Sequence, residues 1–329
     1  MSKEIENELI TKDNSITDTP VPLTPMDTPA IITEPIKSRT RGVLLIALGS
    51  PNYGMMASNL AFAVKVLSGK RIPVALLTEN KALSRLTALH KSEHFDFIEY
   101  IDPAEFTVNG KRDYGLMKLK MYAHTPFDDT IFMDVDTMWF PGKNIEHIFN
   151  ELGAEAGNVV PQNSGTANII QAARDNWQVD WYMARDVLNK FKWENEWVGH
   201  IHSYFMYFRK SDEAKKYFDC ALEAHARFSS GEITVRHWRA GVADEACFSI
   251  AVGTSGLYLK PERHHFSPLF QVHSNSMEQA YKIEARGYYG ASLVTTRGSV
   301  DWENNYSKCF IQIFSKGNKR LGFDWVNKA

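Results

Sequence analysis

The sequence predicts an α/β protein built on a Rossmann-like mixed sheet flanked by helices. Three observations carry that expectation. Short apolar runs alternate with helical periodicity from Gly42 onward, a pattern that builds a largely parallel sheet with ligands bound beyond the carboxyl ends of its strands. The chain has 329 residues, 44% of them hydrophobic, enough for a sizeable core. The run Ile131-Phe132-Met133-Asp134-Val135-Asp136-Thr137-Met138-Trp139-Phe140 sets two carboxylates inside otherwise apolar sequence.

The elements follow in order. Residues 1 to about 40 hold Pro20, Pro22, Pro25, Pro29 and Pro35 among Thr, Asp and Glu, with no aromatic residue. Such a segment buries too little apolar surface to offset its ordering entropy, so 1–40 is expected to be a disordered tail and 41–329 a single domain. Gly42 to Gly49 reads as a buried strand, after which Ser50-Pro51-Asn52-Tyr53-Gly54 breaks the chain. A helix is expected over Met55–Leu67, a strand over Ile72–Thr78, a helix over Lys81–His90 and a strand over Phe97–Ile101. Lys111–His124 predicts a Lys- and Met-rich helix, broken by Thr125-Pro126 just ahead of the Asp-Val-Asp run. Pro141-Gly142 turns the chain into Ile145–Phe149, and Val159-Val160-Pro161 predicts a short strand. Residues 163–198, with Trp177, Trp181, Trp193 and Trp197, are expected to be a largely helical insertion. Ser203–Phe208 then predicts a strand and Asp212–Phe228 an amphipathic helix; beyond about 254 the pattern assigns no element.

If the Asp-Val-Asp run is a strand, Asp134 and Asp136 project to the same side while Val135 faces the other way. Two adjacent buried anions repel and resist desolvation unless a cation or strong donors meet them. Hard divalent ions such as Mg²⁺ or Mn²⁺ are the natural partner for such oxygens. The alternative is a strand that ends at Met133, with both acids capping a following turn.

Net charge is −2 and the basic residues are dispersed, which argues against a protein living by non-specific phosphate contacts. Cys220, Cys247 and Cys309 are far apart and lack metal-ligand spacing, as expected of free thiols in a reducing compartment. No apolar run approaches the roughly 20 residues of a membrane span. The opening Met1-Ser2-Lys3-Glu4 is unlike a secretory leader, so a cytoplasmic protein without an integral membrane segment is expected.

Three motifs stand in a telling order. Met117-Lys118-Leu119-Lys120-Met121-Tyr122 precedes Phe132-Met133-Asp134-Val135-Asp136-Thr137; His202-Ser203-Tyr204-Phe205-Met206-Tyr207-Phe208-Arg209-Lys210-Ser211 follows; Val242-Ala243-Asp244-Glu245-Ala246-Cys247-Phe248 comes last. Together they resemble the catalytic domain of family 8 glycosyltransferases, glycogenin-like, over roughly residues 43 to 275. The resemblance implies the GT-A type nucleotide-diphospho-sugar transferase fold. It also implies transfer of a hexose, with retention, from a nucleotide-sugar donor such as a UDP-sugar.

It further implies residue roles. Backbone near Leu48, with Tyr53, would border the nucleotide base. Lys118 would lie near the donor, while Lys120 faces elsewhere. Asp134, Val135 and Asp136 would form the donor turn. Asp134 and Asp136 would hold Mn²⁺ (or Mg²⁺), with His273 of Phe270-Gln271-Val272-His273 as third ligand. Asp244 and Glu245 would orient donor sugar or acceptor, or act as a base, unless they merely favour the positive end of a helix. His202, Ser203 and Tyr204 would form the acceptor side. Lys316 or Lys319 would grip the diphosphate, because the family's C-terminal His-x-x-Gly-x-x-Lys has no clean counterpart.

Other departures matter: His202 stands where the family carries Asn, Tyr204 where it carries Gly, and Glu245 where it carries Gln. The Trp-rich insertion and Arg236-His237-Trp238-Arg239 are candidates for an acceptor platform, or simply for packing. The acceptor stays open: a glycan, a protein side chain, a small molecule or a modified nucleic-acid base. A homo-oligomer is open too. Two other classes share the Asp-x-Asp signature: a haloacid-dehalogenase-type phosphatase, with a nucleophilic first Asp, and a non-catalytic nucleotide-sugar binding protein.

Overall fold

The computed structural model describes residues 40–69, 71–140, 142–155, 158–179, 181–234, 242–257, 259, 268–272 and 288–293. The expected tail, His273, Lys316, Lys319 and the Arg236–Arg239 cluster lie outside them. The first half contains β1 (Arg41–Ala47), α1 (Pro51–Ser68), β2 (Val74–Thr78), α2 (Ala88–His94) and β3 (Phe97–Tyr100). A short hairpin, β4 (Thr107–Val108) and β5 (Lys111–Arg112), leads into α3 (Gly115–His124), β6 (Asp129–Met133), β7 (Thr137–Trp139) and α4 (Ile145–Glu155). Next come β8 (Val159–Asn168), α5 (Ile169–Arg174), β9 (Gln178–Val179), β10 (Tyr182–Met183) and α6 (Ala184–Leu188). The last described elements are β11 (Trp197–Arg209), α7 (Asp212–Ser229), α8 (Asp244–Thr254), β12 (Leu269–Val272) and β13 (Gly290–Leu293).

The central sheet runs β3-β2-β1-β6-β11-β8. Its first four strands are parallel, and β11 lies antiparallel to both β6 and β8. The molecule is therefore an α/β protein with a mixed sheet, as its alternating pattern predicts. Strand alternation divides the core into two. Val43, Leu45, Ile131 and Met133 face Met56, Leu60 and Val64 of α1 and Phe149 of α4. Leu44 and Phe132 face Met117 of α3, Phe218 of α7 and Phe248 of α8. Burial on both faces is why these strands read as continuous apolar runs.

Several boundaries differ from expectation, each for a local reason. The break expected at Ser50–Gly54 is the start of α1. Ser50 Oγ accepts from the Asn52 N–H at 3.3 Å, and Pro51 takes the first turn, where its missing N–H is no loss. Gly69, at φ 65°, closes that helix in a left-handed conformation. Over Lys81–His90 the chain is mostly turn. Helix α2 begins only at Ala88, capped by Thr87, whose Oγ1 accepts from the His90 N–H at 3.2 Å. The helix expected from Lys111 begins at Gly115, because Lys111 and Arg112 pair with β4.

The 163–198 stretch is not largely helical. Strand β8 continues to Asn168, paired with Trp197 of β11, and α5 and α6 are only six and five residues long. Pairing with a long partner strand overrides local helical periodicity there. Among the described residues no helix is long and apolar enough to cross a membrane.

Candidate active site

Strand β6 ends at Met133, so the Asp-Val-Asp run is a turn between two strands. The Asp134 N–H still donates to the Tyr204 carbonyl of β11 at 2.9 Å, and the Thr137 N–H closes the turn on the Asp134 carbonyl at 3.0 Å. The expected single strand is corrected, yet its side-chain alternation survives. Val135 packs with Met133 in the α1 and α4 core, which leaves no part of its side chain for a donor. Asp134 continues the Phe132 side, toward α3 and α8.

Lys118 meets it there. Its Nζ lies 2.9 Å from Asp134 Oδ2 and 2.8 Å from Asp134 Oδ1. It also donates to Ser203 Oγ at 3.1 Å and lies 3.2 Å from Asp244 Oδ2. The last contact is close enough for ion pairing but too poorly aligned for a hydrogen bond. Three elements converge: Lys118 comes from α3, Asp244 from the first turn of α8 and Ser203 from β11. Register with β8 shifts between His202 and Met206, a bulge of the kind that re-aims side chains beside functional sites. It lets Ser203 face Lys118 while Tyr204 and Phe205 both enter the opposite core. Lys120, one residue further round α3, turns away and donates to the Glu105 carbonyl at 2.8 Å.

Burial alone would discharge Lys118, but the charges of Asp134 and Asp244 outweigh it and keep the ammonium protonated. For Asp244 burial pushes upward, and the Lys118 charge with a hydrogen bond from Ser203 brings its carboxyl below the usual range. Burial holds Asp134 above its ordinary value despite Lys118.

Among the described residues no cation pairs directly with Asp136, and the Lys118 charge offsets its burial only in part. Burial, then the charge of Asp134, pushes its pKa up to about 8. Among the described residues its buried Oδ1 finds no hydrogen-bond partner. An orphaned acceptor beside a second carboxylate is what a hard divalent cation would satisfy. Among the described residues no group of three His, Cys, Asp or Glu side chains converges to hold a metal. Two carboxylates nonetheless match the way Mg²⁺-type ions bind, through one or two protein acids completed by substrate phosphates. The residues present fit the ion; the His273 expectation lies outside the described residues.

Two further groups of residues are expected to flank this cluster. On one side, buried Leu48 follows β1, and Gly49 comes next at φ 83°. The Gly49 N–H donates to Glu79 Oε1 at 2.6 Å, and the Tyr114 ring would lie 2.8 Å from a Cβ at Gly49. Tyr53, in the first turn of α1, and Tyr114 are both exposed. Sequence reasoning named Leu48 and Tyr53 but missed Glu79 and Tyr114; the glycine ahead of a helix cap was the available signal. On the other side, Trp181 Nε1 donates to Glu245 Oε2 at 3.0 Å. His202 Nδ1 lies 3.8 Å from Glu245 Oε1, and its ring stacks on Tyr204 at 5.7 Å and 20°.

No protein-family model matches the chain, and no curated protein matches it either. Among solved structures it is similar to mouse xyloside xylosyltransferase 1 in its apo form. Identity is 12%, the match covers 80% of this chain and 98% of the other, and the TM-score is 0.44. It is similar to the apo bifunctional glycosyltransferase WbbM at 12% identity, covering 86% of this chain and 52% of that one, with TM-score 0.45. The galactosyltransferase LgtC in complex with donor and acceptor sugar analogs matches at 10% identity over 82% and 95% of the two chains, with TM-score 0.44. Likeness at this level is one of outline, and the chemistry rests on this chain's own side chains.

Proposed function

We propose that the protein is a metal-dependent glycosyltransferase of the GT-A type. It moves a hexose from a nucleotide sugar, best a UDP-sugar, to an acceptor hydroxyl with retention of configuration. One observation carries the reading: Lys118 bridges Asp134 and Asp244 at 2.8 and 3.2 Å, beside an Asp136 oxygen that lacks a partner. The cluster lies beyond the carboxyl end of β6, where parallel α/β sheets bind ligands.

Asp134 and Asp136 would hold a Mn²⁺ or Mg²⁺ ion. Bound there, the ion supplies Lewis-acid stabilisation of a departing nucleoside diphosphate. Lys118 adds a fixed cation on the same side, preorganised by its two carboxylates so that no reorganisation is needed as charge develops. Asp244, anchored through Lys118 and Ser203, orients the sugar between donor and acceptor. Leu48, Gly49 and Tyr53 border the base, with Tyr114 beneath the turn.

The test is donor hydrolysis across UDP-sugars with and without Mn²⁺. Metal-dependent release of UDP from at least one donor supports the reading. Release of phosphate from monoesters instead, with Asp134 forming a phospho-enzyme, would overturn it in favour of a phosphatase.

A further inference from the structure

Glu245 sits next to Asp244 in the first turn of α8, yet it does not join the Lys118 cluster. Its two oxygens are divided between two rings: Oε2 accepts from Trp181 Nε1 at 3.0 Å, and Oε1 lies 3.8 Å from His202 Nδ1. Trp181 comes from the tight β9–β10 connection and packs partly against the α3, α7 and α8 core. His202 in turn stacks on Tyr204. An indole and an imidazole thus flank one carboxylate, with the Tyr204 phenol stacked on the imidazole. His202 and Glu245 keep 31% and 24% of their side chains exposed, so the assembly borders the cleft instead of filling the core.

Three positions that depart from the expected pattern, His202, Tyr204 and Glu245, are therefore joined to one another, with Trp181 of the 163–198 stretch as the fourth member. The indole N–H fixes the orientation of the Glu245 carboxylate, and Oε1 keeps lone pairs for a hydroxyl.

We propose that Glu245 is a positioning residue. It holds Trp181 and His202 as one wall of the acceptor pocket, and that wall selects a neutral sugar ring. The proposal rests on the transferase reading and adds the acceptor class to it. The chemistry favours a sugar for two reasons. Aromatic faces suit the apolar C–H face of a pyranose, while Glu245 Oε1 and His202 offer polar partners for its hydroxyls. Asp134, Asp136 and Asp244 gather near Lys118, with Glu245 next to Asp244 along α8, so a phosphorylated acceptor meets like charge.

The experiment uses the full chain with Mn²⁺ and whichever UDP-sugar it hydrolyses. Acceptor probes are neutral p-nitrophenyl pyranosides, the corresponding sugar phosphates and a tyrosine-containing peptide. Transfer to the neutral pyranosides is expected. Glu245→Ala should raise acceptor KM about tenfold or more, with most of the loss in KM instead of kcat. Glu245→Gln, which keeps an oxygen for the indole N–H, should restore most of that affinity. The Trp181 indole N–H resonance should move in Glu245→Ala and stay near its wild-type position in Glu245→Gln.

A drop of about a hundredfold in kcat for Glu245→Gln at unchanged acceptor KM would make Glu245 a reacting group and overturn the proposal. Preference for the peptide or for sugar phosphates would overturn the acceptor class, and an unmoved indole resonance would overturn the positioning role. A wild type that hydrolyses no donor refutes the transferase reading itself and this proposal with it. Donor hydrolysis by the wild type together with an acceptor KM that is unchanged in Glu245→Ala refutes only the latter.

Discussion

Lys118 grips both oxygens of Asp134, at 2.8 and 2.9 Å, across sixteen positions of sequence. Helix α3 and the turn after β6 are thereby tied at the point where the sheet opens to its cleft. Their side chains are only 20% and 27% exposed, so the pair is tight and largely desolvated. Such a pair contributes less to stability than to placement: breaking it strands a charge, whereas removing both partners need not.

Lys118→Met should therefore lower stability by about 2–3 kcal/mol, below the full cost for a buried pair because of the residual exposure. Adding Asp134→Asn should recover only part of that loss, because Asp244 also loses its cation. Urea denaturation of the two single variants and the double variant measures the coupling. Additive losses would show that the two side chains act independently. Transfer activity should fall by about a hundredfold or more in both single variants.

Asp136→Asn should leave the fold intact, since the replaced oxygen has no protein partner, while abolishing Mn²⁺ binding and turnover. Titration of Mn²⁺ by electron paramagnetic resonance reads the first effect, and donor hydrolysis at saturating metal reads the second. Wild-type turnover by this variant would remove Asp136 from the site.

The metal-free protein should also show a distinctive pH dependence. Asp136 titrates near 8 in the fold, against an ordinary value of 3.8. The folded state thus holds a proton that the unfolded chain releases, and stability falls as pH rises between those values. The contribution is complete below the unfolded pKa and lost as pH passes through about 8. With EDTA present, wild type should lose stability between about pH 5 and 8 relative to Asp136→Asn, which has no such proton. Urea midpoints of both proteins across that range are the measurement. Mn²⁺ binding near neutral pH should release a proton, seen as a buffer-dependent binding enthalpy.

Gly49→Ala should cost about 1–3 kcal/mol, since alanine would occupy a left-handed backbone conformation. Its methyl would also meet the Tyr114 ring at 2.8 Å. Tyr114→Ser in the same chain should return only the part due to the ring. Thermal melts separate the two contributions, and donor KM should rise with the displaced turn.

Legibility followed the range of the interactions involved. The pairing of Asp134 with Asp136 could be read, and Lys118, brought to the donor by the family resemblance, told apart from Lys120, because spacing along regular elements reports which face a side chain occupies. The same reasoning placed Lys120 away from the site, as it is. The turn at Asp134–Asp136 was available only as an alternative, because a strand and a short strand–turn–strand share the same alternation. Trp181 was read as one tryptophan among four. Its bond to Glu245 spans 64 positions, and no local pattern encodes it. Residues 163–198 misled for a related reason: their strand is made by pairing with β11, not by their own preferences.

Local sequence alone determined the alternation of apolar runs with helices and the closeness of the two acids on one side, because each depends on periodicity over a few positions. Tertiary structure decided which acid stays unpartnered, how β11 bulges to present Ser203, and that Glu245 belongs to a ring-lined wall instead of the lysine cluster. Those outcomes depend on which distant elements meet. They are settled by close packing of a common core, where every buried polar atom must find a partner or be left to a ligand.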